Sequence, residues 1–336
     1  MLLICLAGSL VGTGCKDSCY CIFRTMDTFQ QRPMDEADIL WVVDDSISME
    51  TGQTTAAVAE DTAGLLAKLE GWGVDFHAGV VTTDFDADNP NAARFVGPVI
   101  TNTTADYETV FQAQLQVGTD GSDQESGLRV ASAALTPPLS MTTNVDFLRP
   151  DASLAIIVVS DEDDCSGELG DRSTGEECYR QVSRLTPVPD LVAELRRIKE
   201  GLAGPLTFSG IIGPDDPQLC PDAIPGERYA DAIEMIGGVR ASICEEDATA
   251  VRDSLAGVAA GLRSVFPLSH LPDPDTIDVS VTDADGQEVR ASEAPVSGWA
   301  YVVPTDGTDG NIVFSATAVP PWGSTILVAY VCAEGC

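Results

Sequence analysis

The stretch Ile39-Leu40-Trp41-Val42-Val43-Asp44-Asp45-Ser46-Ile47-Ser48 joins five apolar residues directly to a short run of acids and hydroxyls. A continuous apolar run of this length is typical of a strand buried on both faces, as in parallel sheets. Residues 51–69 then place Ala, Val and Leu at helical intervals, and Gly71 ends the pattern. The stretch therefore predicts a buried strand, an acidic turn and a helix.

The same alternation of strand and helix recurs along the next two hundred or so residues. Apolar runs predict strands at 76–83, 154–159 and 206–212. Helical spacing of apolar residues predicts helices at 107–115, 127–135, 191–202, 229–236 and 248–262. This order predicts an α/β fold with an open, mostly parallel sheet and helices on both faces.

The pattern changes near Phe266, where Leu271-Pro272-Asp273-Pro274-Asp275 indicates a linker. Beyond it the apolar residues alternate with polar ones, and Asp285-Gly286 lies between two such runs as a hairpin signal. The alternating runs are at 277–281, 287–290, 299–303, 312–316 and 325–331. Residues 266–336 are therefore predicted to form a small all-β, sandwich-like domain.

The amino-terminal residues 1–14 form an uncharged apolar run of signal-peptide size. Its end, Gly12-Thr13-Gly14-Cys15, resembles a bacterial lipobox, which implies lipidation of Cys15. Plain secretion and a buried strand are the alternatives. The predicted domains are a signal peptide with lipobox at 1–14, a Cys-rich tether at 15–36, the α/β domain at 37–265 and the β domain at 266–336.

The charge of the chain excludes one class of partner. Its 336 residues include 53 acidic and 18 basic side chains, for a formal net charge of -35. Such a field repels phosphate backbones, and the sequence lacks the Lys/Arg clusters that bind nucleic acid. We expect no nucleic-acid partner, and contact with a membrane only through the lipid anchor.

The cysteines indicate export to an oxidising compartment. Beyond Cys5 and Cys15, eight further cysteines are clustered locally, which favours disulfides. A zinc site is disfavoured because no CxxC pair occurs and both histidines are far from every cysteine in sequence. On proximity alone, the expected pairs are Cys165–Cys178, Cys220–Cys244 and Cys332–Cys336. The protein is expected outside the cytoplasm, at the bacterial cell envelope or secreted.

The chemistry is concentrated in the Asp-x-Ser-x-Ser motif formed by Asp44, Ser46 and Ser48. Alternate residues after a strand can point the same way, so one carboxylate and two hydroxyls can converge beyond the sheet edge. Hard oxygen donors of this kind suit magnesium, manganese or calcium.

This motif resembles the metal-ion-dependent adhesion site of the von Willebrand factor type A family. The apolar run 155–159 leading through Ser160 to Asp161 is similar to the strand with which that family delivers a second metal-holding Asp. The middle loop, residues 118–128, is most similar to the inserted domain of integrin β-subunits, which implies Glu125 as ligand. Ser122 and Thr119 are alternatives.

The resemblance implies a divalent cation with an open coordination position that captures an Asp or Glu of a protein partner, as an adhesion or protein-binding module rather than an enzyme. One alternative is a structural envelope protein with an unused site. Another is a metal-dependent hydrolase or phosphotransferase with Asp44 as nucleophile. The haloacid-dehalogenase pattern needs a second Asp two residues further on, where this chain has Ser46.

Overall fold

A computed structural model describes residues 24–50, 64–85, 89–167, 178, 180–202, 204–245, 249–294, 298–303, 310–315 and 318–332. The chain divides into two compact units. One is continuous and runs from Pro33 to Leu262. The other combines the residues up to Arg32 with those from Arg263 onward, so it is discontinuous in sequence.

Strands and helices are interspersed through most of the chain, and its last part is built mainly from strands. The strands are β1 (Arg24–Gln30), β2 (Glu36–Val43), β3 (Asp75–Thr82), β4 (Ile100–Thr101), β5 (Ser153–Ser160), β6 (Leu206–Ile212), β7 (Arg240–Ser242), β8 (Val265–Pro267), β9 (Asp278–Thr282), β10 (Glu288–Arg290), β11 (Trp299–Val302), β12 (Asn311–Phe314) and β13 (Thr325–Val331). The helices are α1 (64–71), α2 (Tyr107–Leu115), α3 (Gly127–Leu135), α4 (Val188–Ile198), α5 (Glu227–Ile236) and α6 (Thr249–Ala259). None of the helices in the described part of the chain is long and apolar enough to cross a membrane.

The continuous unit is built on a six-stranded sheet with the order β4-β3-β2-β5-β6-β7. All neighbouring pairs are parallel except β3 with β4, which is antiparallel. The central strand β2 pairs with β5 on one side and β3 on the other. Val43 at the end of β2 lies opposite Val159 of β5, so these two strands end at the same edge of the sheet.

Helices cover both faces of this sheet. On one face, α3, α4 and α5 pack against alternate strand residues such as Leu40, Ile156 and Phe208, and together they form one buried apolar cluster. On the other face the Trp41 ring meets the Phe111 ring of α2 edge-on, with centroids 5.7 Å apart. Because both faces are buried, β2 and β5 are each apolar at six of eight positions, which explains the uninterrupted apolar run at 39–43.

The discontinuous unit contains two antiparallel sheets, with the orders β1-β13-β9-β10 and β11-β12-β8. One apolar cluster draws residues from both sheets, as expected for a sandwich. Its fully or nearly fully buried members are Phe266, Leu268, Val279, Trp299, Ile312, Phe314, Ile326, Val328 and Tyr330. The predicted hairpin at Asp285-Gly286 is present, because β9 and β10 pair in an antiparallel register.

The predicted α/β class is confirmed, but the amino-terminal boundary differs from the prediction. Residues 24–30, assigned from sequence to the tether, form β1 and pair along their whole length with β13. The boundaries between the units fall between residues 32 and 33 and between residues 262 and 263. The sequence predicted them between 36 and 37 and between 265 and 266. The remainder of the predicted tether, the signal segment and most of the helix expected at 51–69 lie outside the described residues, whereas 64–71 are helical.

Candidate metal centre

The candidate site lies at the edge where the parallel strands β2 and β5 end. Asp44 follows β2 directly, and its amide donates to the carbonyl oxygen of Val159 at 2.9 Å. Asp161 follows β5 directly. Parallel pairing thus brings together two acids that are 117 residues apart, at the sheet edge where ligands of α/β proteins usually bind.

The motif residues and Asp161 form a continuous hydrogen-bonded chain. Asp44 Oδ1 accepts from the Ser46 amide at 2.8 Å. The hydroxyl oxygens of Ser46 and Ser48 lie 2.8 Å apart, and Ser48 Oγ donates to Asp161 Oδ1 at 2.9 Å. A 3₁₀ turn, Ile47–Glu50, holds Ser48 in this position. Four of the predicted ligands therefore lie within hydrogen-bond reach of their neighbours in the chain.

Ser160 is a member of the site that the sequence did not predict. It is the last residue of β5 and fully buried, and its hydroxyl donates to Asp44 Oδ2 at 2.6 Å. Because the Ser46 amide donates to Asp44 Oδ1, each carboxylate oxygen of Asp44 accepts one hydrogen bond. A serine at the end of an apolar strand gives no sequence signal of its own, because only the pairing of β5 with β2 brings it to Asp44.

The middle loop contributes Glu125. Its segment is anchored to the end of β3, because the Ser126 amide donates to the Thr83 carbonyl at 3.0 Å and Asp84 forms a bridge with Glu125. The Glu125 side chain is 0% exposed, and its carboxylate oxygens make no hydrogen bond of normal geometry, although the Thr83 hydroxyl lies close enough to lower the pKa of this group. The buried Thr83 hydroxyl likewise makes no hydrogen bond of normal geometry. An ionised carboxylate in this position is costly, so the group either takes up a proton, as its raised pKa favours, or gains a compensating positive charge.

The other two middle-loop candidates are placed differently. Ser122 is half-buried, and its hydroxyl accepts from the Gln124 amide at 3.2 Å within its own loop. Thr119 is also half-buried. Glu125 is the fully buried member of the three candidates, and its pKa is raised by burial and then by the charge of Asp44, which indicates proximity to that side chain.

Burial and mutual repulsion raise the pKa values of the acids at this edge. Burial raises the pKa of Asp44, and it raises that of Glu125 well above its usual range. Burial and the Asp44 charge raise the pKa of Asp161 to about 6 and that of Glu162 to about 8. Burial, with the charges of Asp84 and Asp44, raises the pKa of Asp45 to about 7. Clustered carboxylates of this kind are relieved by a bound cation.

The donors fit a hard divalent cation rather than zinc. Within the described ranges, no three His, Cys, Asp or Glu side chains converge closely enough to hold an ion by themselves. The candidate set therefore depends on the hydroxyls of Ser46 and Ser48 in addition to carboxylates. Oxygen-only sets of this type suit Mg²⁺, Mn²⁺ or Ca²⁺. The buried Glu125 oxygens, which make no hydrogen bond of normal geometry, are a second observation consistent with a cation site.

The structure contains two of the three predicted disulfides. Cys165 pairs with Cys178, and Cys220 pairs with Cys244. Cys332 is disulfide-bonded, but its predicted partner Cys336 lies outside the described residues. Cys165 and Cys178 are buried together with Leu185, so the segment after Asp161 has a small core of its own. The predicted lipidation site, Cys15, also lies outside the described residues.

Comparisons with known proteins give weak similarities. No family model matches the sequence, and no curated protein matches it. The structure is similar to two crystal structures of the pilus adhesin SpaC from Lactobacillus rhamnosus GG, with TM-scores of 0.44 and 0.45 and identities of 14% and 15%. These alignments cover 92% of this chain, which spans 41% and 40% of the adhesin's length.

A third similar structure is proximal thread matrix protein 1 from the mussel byssus. Its TM-score is 0.41 at 14% identity, over 72% of this chain and 51% of that protein. With TM-scores below 0.5, the three similarities assign neither a fold family nor a function to this chain. The site itself is therefore the basis for a functional proposal.

Proposed function

We propose that residues 33–262 form a von Willebrand factor type A-like domain that binds a divalent cation and uses it to capture a carboxylate of a protein partner. Asp44, Ser46 and Ser48 would hold the ion directly, with Glu125 and Asp161 as direct or water-mediated ligands. The observation that carries the proposal is the hydrogen-bonded chain from Asp44 through both serines to Asp161, next to a buried Glu125 with unpaired oxygens.

The motif itself supplies one carboxylate, that of Asp44, and two neutral hydroxyls, which supports capture of an anion. The serine ligands are neutral, so they bind a cation without cancelling its positive charge. When bound, the ion would supply an electrophilic position that accepts an oxygen from an incoming Asp or Glu. Ile47, between the two serines, is 63% exposed and would offer an apolar contact beside the captured carboxylate.

The proposed location is outside the bacterial cytoplasm, at the cell envelope. Two disulfides within the α/β unit support an oxidising compartment, because such bonds are rarely maintained in the cytosol. A lipid on Cys15 would provide the only membrane attachment in this proposal. The partner is a protein that presents an acidic side chain, and no catalytic step is proposed.

Cation binding is tested by titrating Mn²⁺, Mg²⁺ and Ca²⁺ into chelator-treated protein by isothermal calorimetry. We expect Asp44→Asn to abolish measurable binding. The matched control is Asp38→Asn, because Asp38 is an equally buried acid near the start of β2, the strand that Asp44 follows, and it pairs with Arg149 at 2.7 Å. The control variant should lose stability but keep the wild-type cation affinity. Equal affinities for Asp44→Asn and wild type would disprove the proposal.

The open position is tested by the relaxation of water protons in the presence of the Mn²⁺-loaded protein. Water that exchanges at the bound ion enhances relaxation, and acetate should lower this enhancement by displacing it. Chloride at the same ionic strength is the control. An enhancement that acetate leaves unchanged would count against carboxylate capture while leaving cation binding intact.

A further inference from the structure

We infer that Asp164 is a positioning residue for this site: with Arg228, it fixes the first turn of α3 and thereby holds Glu125 where the cation would bind. The inference rests on the proposed function, and it concerns a residue outside the predicted ligand set. Its structural basis is the way in which Glu125 is held in place.

The Glu125 carboxylate makes no hydrogen bond of normal geometry, with the Thr83 hydroxyl as a neighbour. Its position therefore depends strongly on its main chain and on the helix that follows. The Glu125 carbonyl accepts from the amide of Cys165, which ties the middle loop to the segment after Asp161. Two residues after Glu125, α3 begins at Gly127. The orientation of Glu125 thus depends on how the first turn of α3 is fixed.

The first turn of α3 is capped by side chains from other parts of the chain. Ser126, at the usual capping position, makes no side-chain cap. Instead, Asp164 Oδ1 accepts from the Leu128 amide at 3.0 Å and Ser166 Oγ accepts from the Arg129 amide at 3.1 Å. Free amides at a helix start require such acceptors, and a carboxylate there is also favoured by the helix dipole.

Asp164 is in turn fixed by a buried network. Its side chain is 0% exposed and accepts from the Ser166 hydroxyl at 2.7 Å and the Ser166 amide at 3.1 Å. Arg228 donates to Asp164 Oδ2 from Nε at 3.2 Å and from Nη2 at 3.0 Å. The same Arg228 also donates to the Thr186 carbonyl at 2.8 Å. Asp164 therefore connects the start of α3 to Ser166 in its own segment, to Arg228 in α5 and, through Arg228, to Thr186.

The neighbouring acids show that this role belongs to Asp164. Asp161 meets Ser48 at the candidate site, whereas Asp163 Oδ1 accepts from the Arg228 amide in the first turn of α5. Within the Asp161-Glu162-Asp163-Asp164 run, Asp164 is thus the acid that caps the helix behind Glu125. Removing it would free the Leu128 amide and leave Arg228 without its buried counter-charge, so the Glu125 loop would lose its fixed position.

The test uses the full chain and two measurements. Asp164→Ala should weaken Mn²⁺ binding by about 10-fold, as loss of an orienting group around a metal site usually does. In chelator, amide hydrogen exchange in residues 127–130 should become faster. Asp164→Asn keeps an acceptor for the Leu128 amide and should recover part of both effects. Ser166→Ala, a milder change, is the second variant should Asp164→Ala not fold.

A purely structural role is separated by Leu195→Ala. Leu195 is fully buried in α4, so this variant destabilises the same unit by creating a cavity without removing a hydrogen bond to the start of α3. Its Mn²⁺ affinity should stay within about twofold of wild type, a smaller change than the 10- to 100-fold loss that follows removal of a group orienting a metal ligand. Wild-type affinity in both Asp164→Ala and Ser166→Ala would overturn the inference while the proposed function stands. Failure of the wild type itself to bind Mn²⁺ would overturn the proposed function, and the inference with it.

Discussion

Ser160 and Asp44, 116 residues apart, are joined by a 2.6 Å hydrogen bond in which the serine hydroxyl donates to the carboxylate. Ser160 ends one strand and Asp44 follows its parallel neighbour, so the bond connects two adjacent strand ends. Because Asp44 is buried, its orientation depends on such partners rather than on water. Ser160 therefore acts on the site through Asp44.

Ser160→Ala is expected to weaken Mn²⁺ binding by about 10-fold, since groups that orient a metal ligand usually contribute 10- to 100-fold in affinity. The fold should survive, with a loss of about 1 kcal/mol in the free energy of unfolding. Calorimetric titration measures the first quantity and urea denaturation the second.

The control for this prediction is Ser209→Ala. Ser209 is equally buried on the adjacent strand β6, where its hydroxyl accepts from the Val239 amide at 3.1 Å. It should lose similar stability without a change in cation affinity. Equal affinity losses in both variants would show that Ser160 acts only through general stability.

Glu125→Gln is expected to separate stability from cation binding. In chelator near neutral pH the variant should be more stable than wild type by about 1 kcal/mol, because burial raises the pKa of Glu125 and folding must either take up a proton there or bury its charge, whereas the Gln amide requires neither. With excess Mn²⁺ the order should reverse, because the variant loses a ligand. Thermal denaturation of both proteins, with EDTA and with Mn²⁺, measures the two differences.

Asp38→Asn is the control for Glu125→Gln, because it neutralises a buried acid outside the candidate site. Asp38 is as buried as Glu125, but it accepts hydrogen bonds from the amide and the guanidinium of Arg149. Its neutralisation should lower the thermal stability in EDTA and in Mn²⁺ alike. A Glu125→Gln variant that behaves in the same way would contradict the assignment of Glu125 as a ligand of the cation.

Removal of the Cys165–Cys178 disulfide by a double Ala substitution is expected to cost about 3 kcal/mol in the free energy of unfolding, from the closure entropy of its loop. Removal of Cys220–Cys244 should cost a similar amount, because the sequence separations of 13 and 24 differ little on a logarithmic scale. Chemical denaturation measures both losses. Non-reducing peptide mapping of the wild type should recover both pairs, and any other pairing of these four cysteines would refute the prediction.

Phe29→Ala is expected to destabilise the discontinuous unit by about 2 kcal/mol, less than a fully buried Phe would contribute, because Phe29 is half-buried. The Phe29 ring of β1 packs against the Phe266 ring with centroids 5.3 Å apart. Hydrogen exchange of residues 325–331, which pair with β1, should accelerate. Met26→Ala on the same strand is the control, since Met26 is 64% exposed and its loss should change little. Slow exchange in both variants would argue against β1 as part of this unit.

Most of the α/β unit could be predicted from the sequence, because buried parallel strands appear as continuous apolar runs. The helices at 107–115 and 127–135 and the strand at 206–212 have the predicted bounds. In contrast, β1 was missed because its side chains alternate between exposed and half-buried along an edge strand. Its sequence, Arg-Thr-Met-Asp-Thr-Phe-Gln, is too polar to stand out from a linker.

The candidate site could be predicted only in part. Asp44, Ser46 and Ser48 belong to one local motif, so their spacing is visible in the sequence. Ser160 and Asp164 could not be found in this way, because their roles depend on partners 116 and 36 residues away. A run of four acids looks uniform in the sequence, and the fold alone distinguishes the acid that caps a helix from the acid at the site.

The pairing of β1 with β13 also sets an order of events during synthesis. Gln30 and Thr325 face each other across this pair but are separated by 295 residues. A ribosome therefore completes every residue of the intervening α/β unit before β1 can meet its neighbour, and that unit can fold first. Until then β1 has no strand to pair with, so translation that stops before β13 leaves an unmatched edge for chaperones or proteases to recognise.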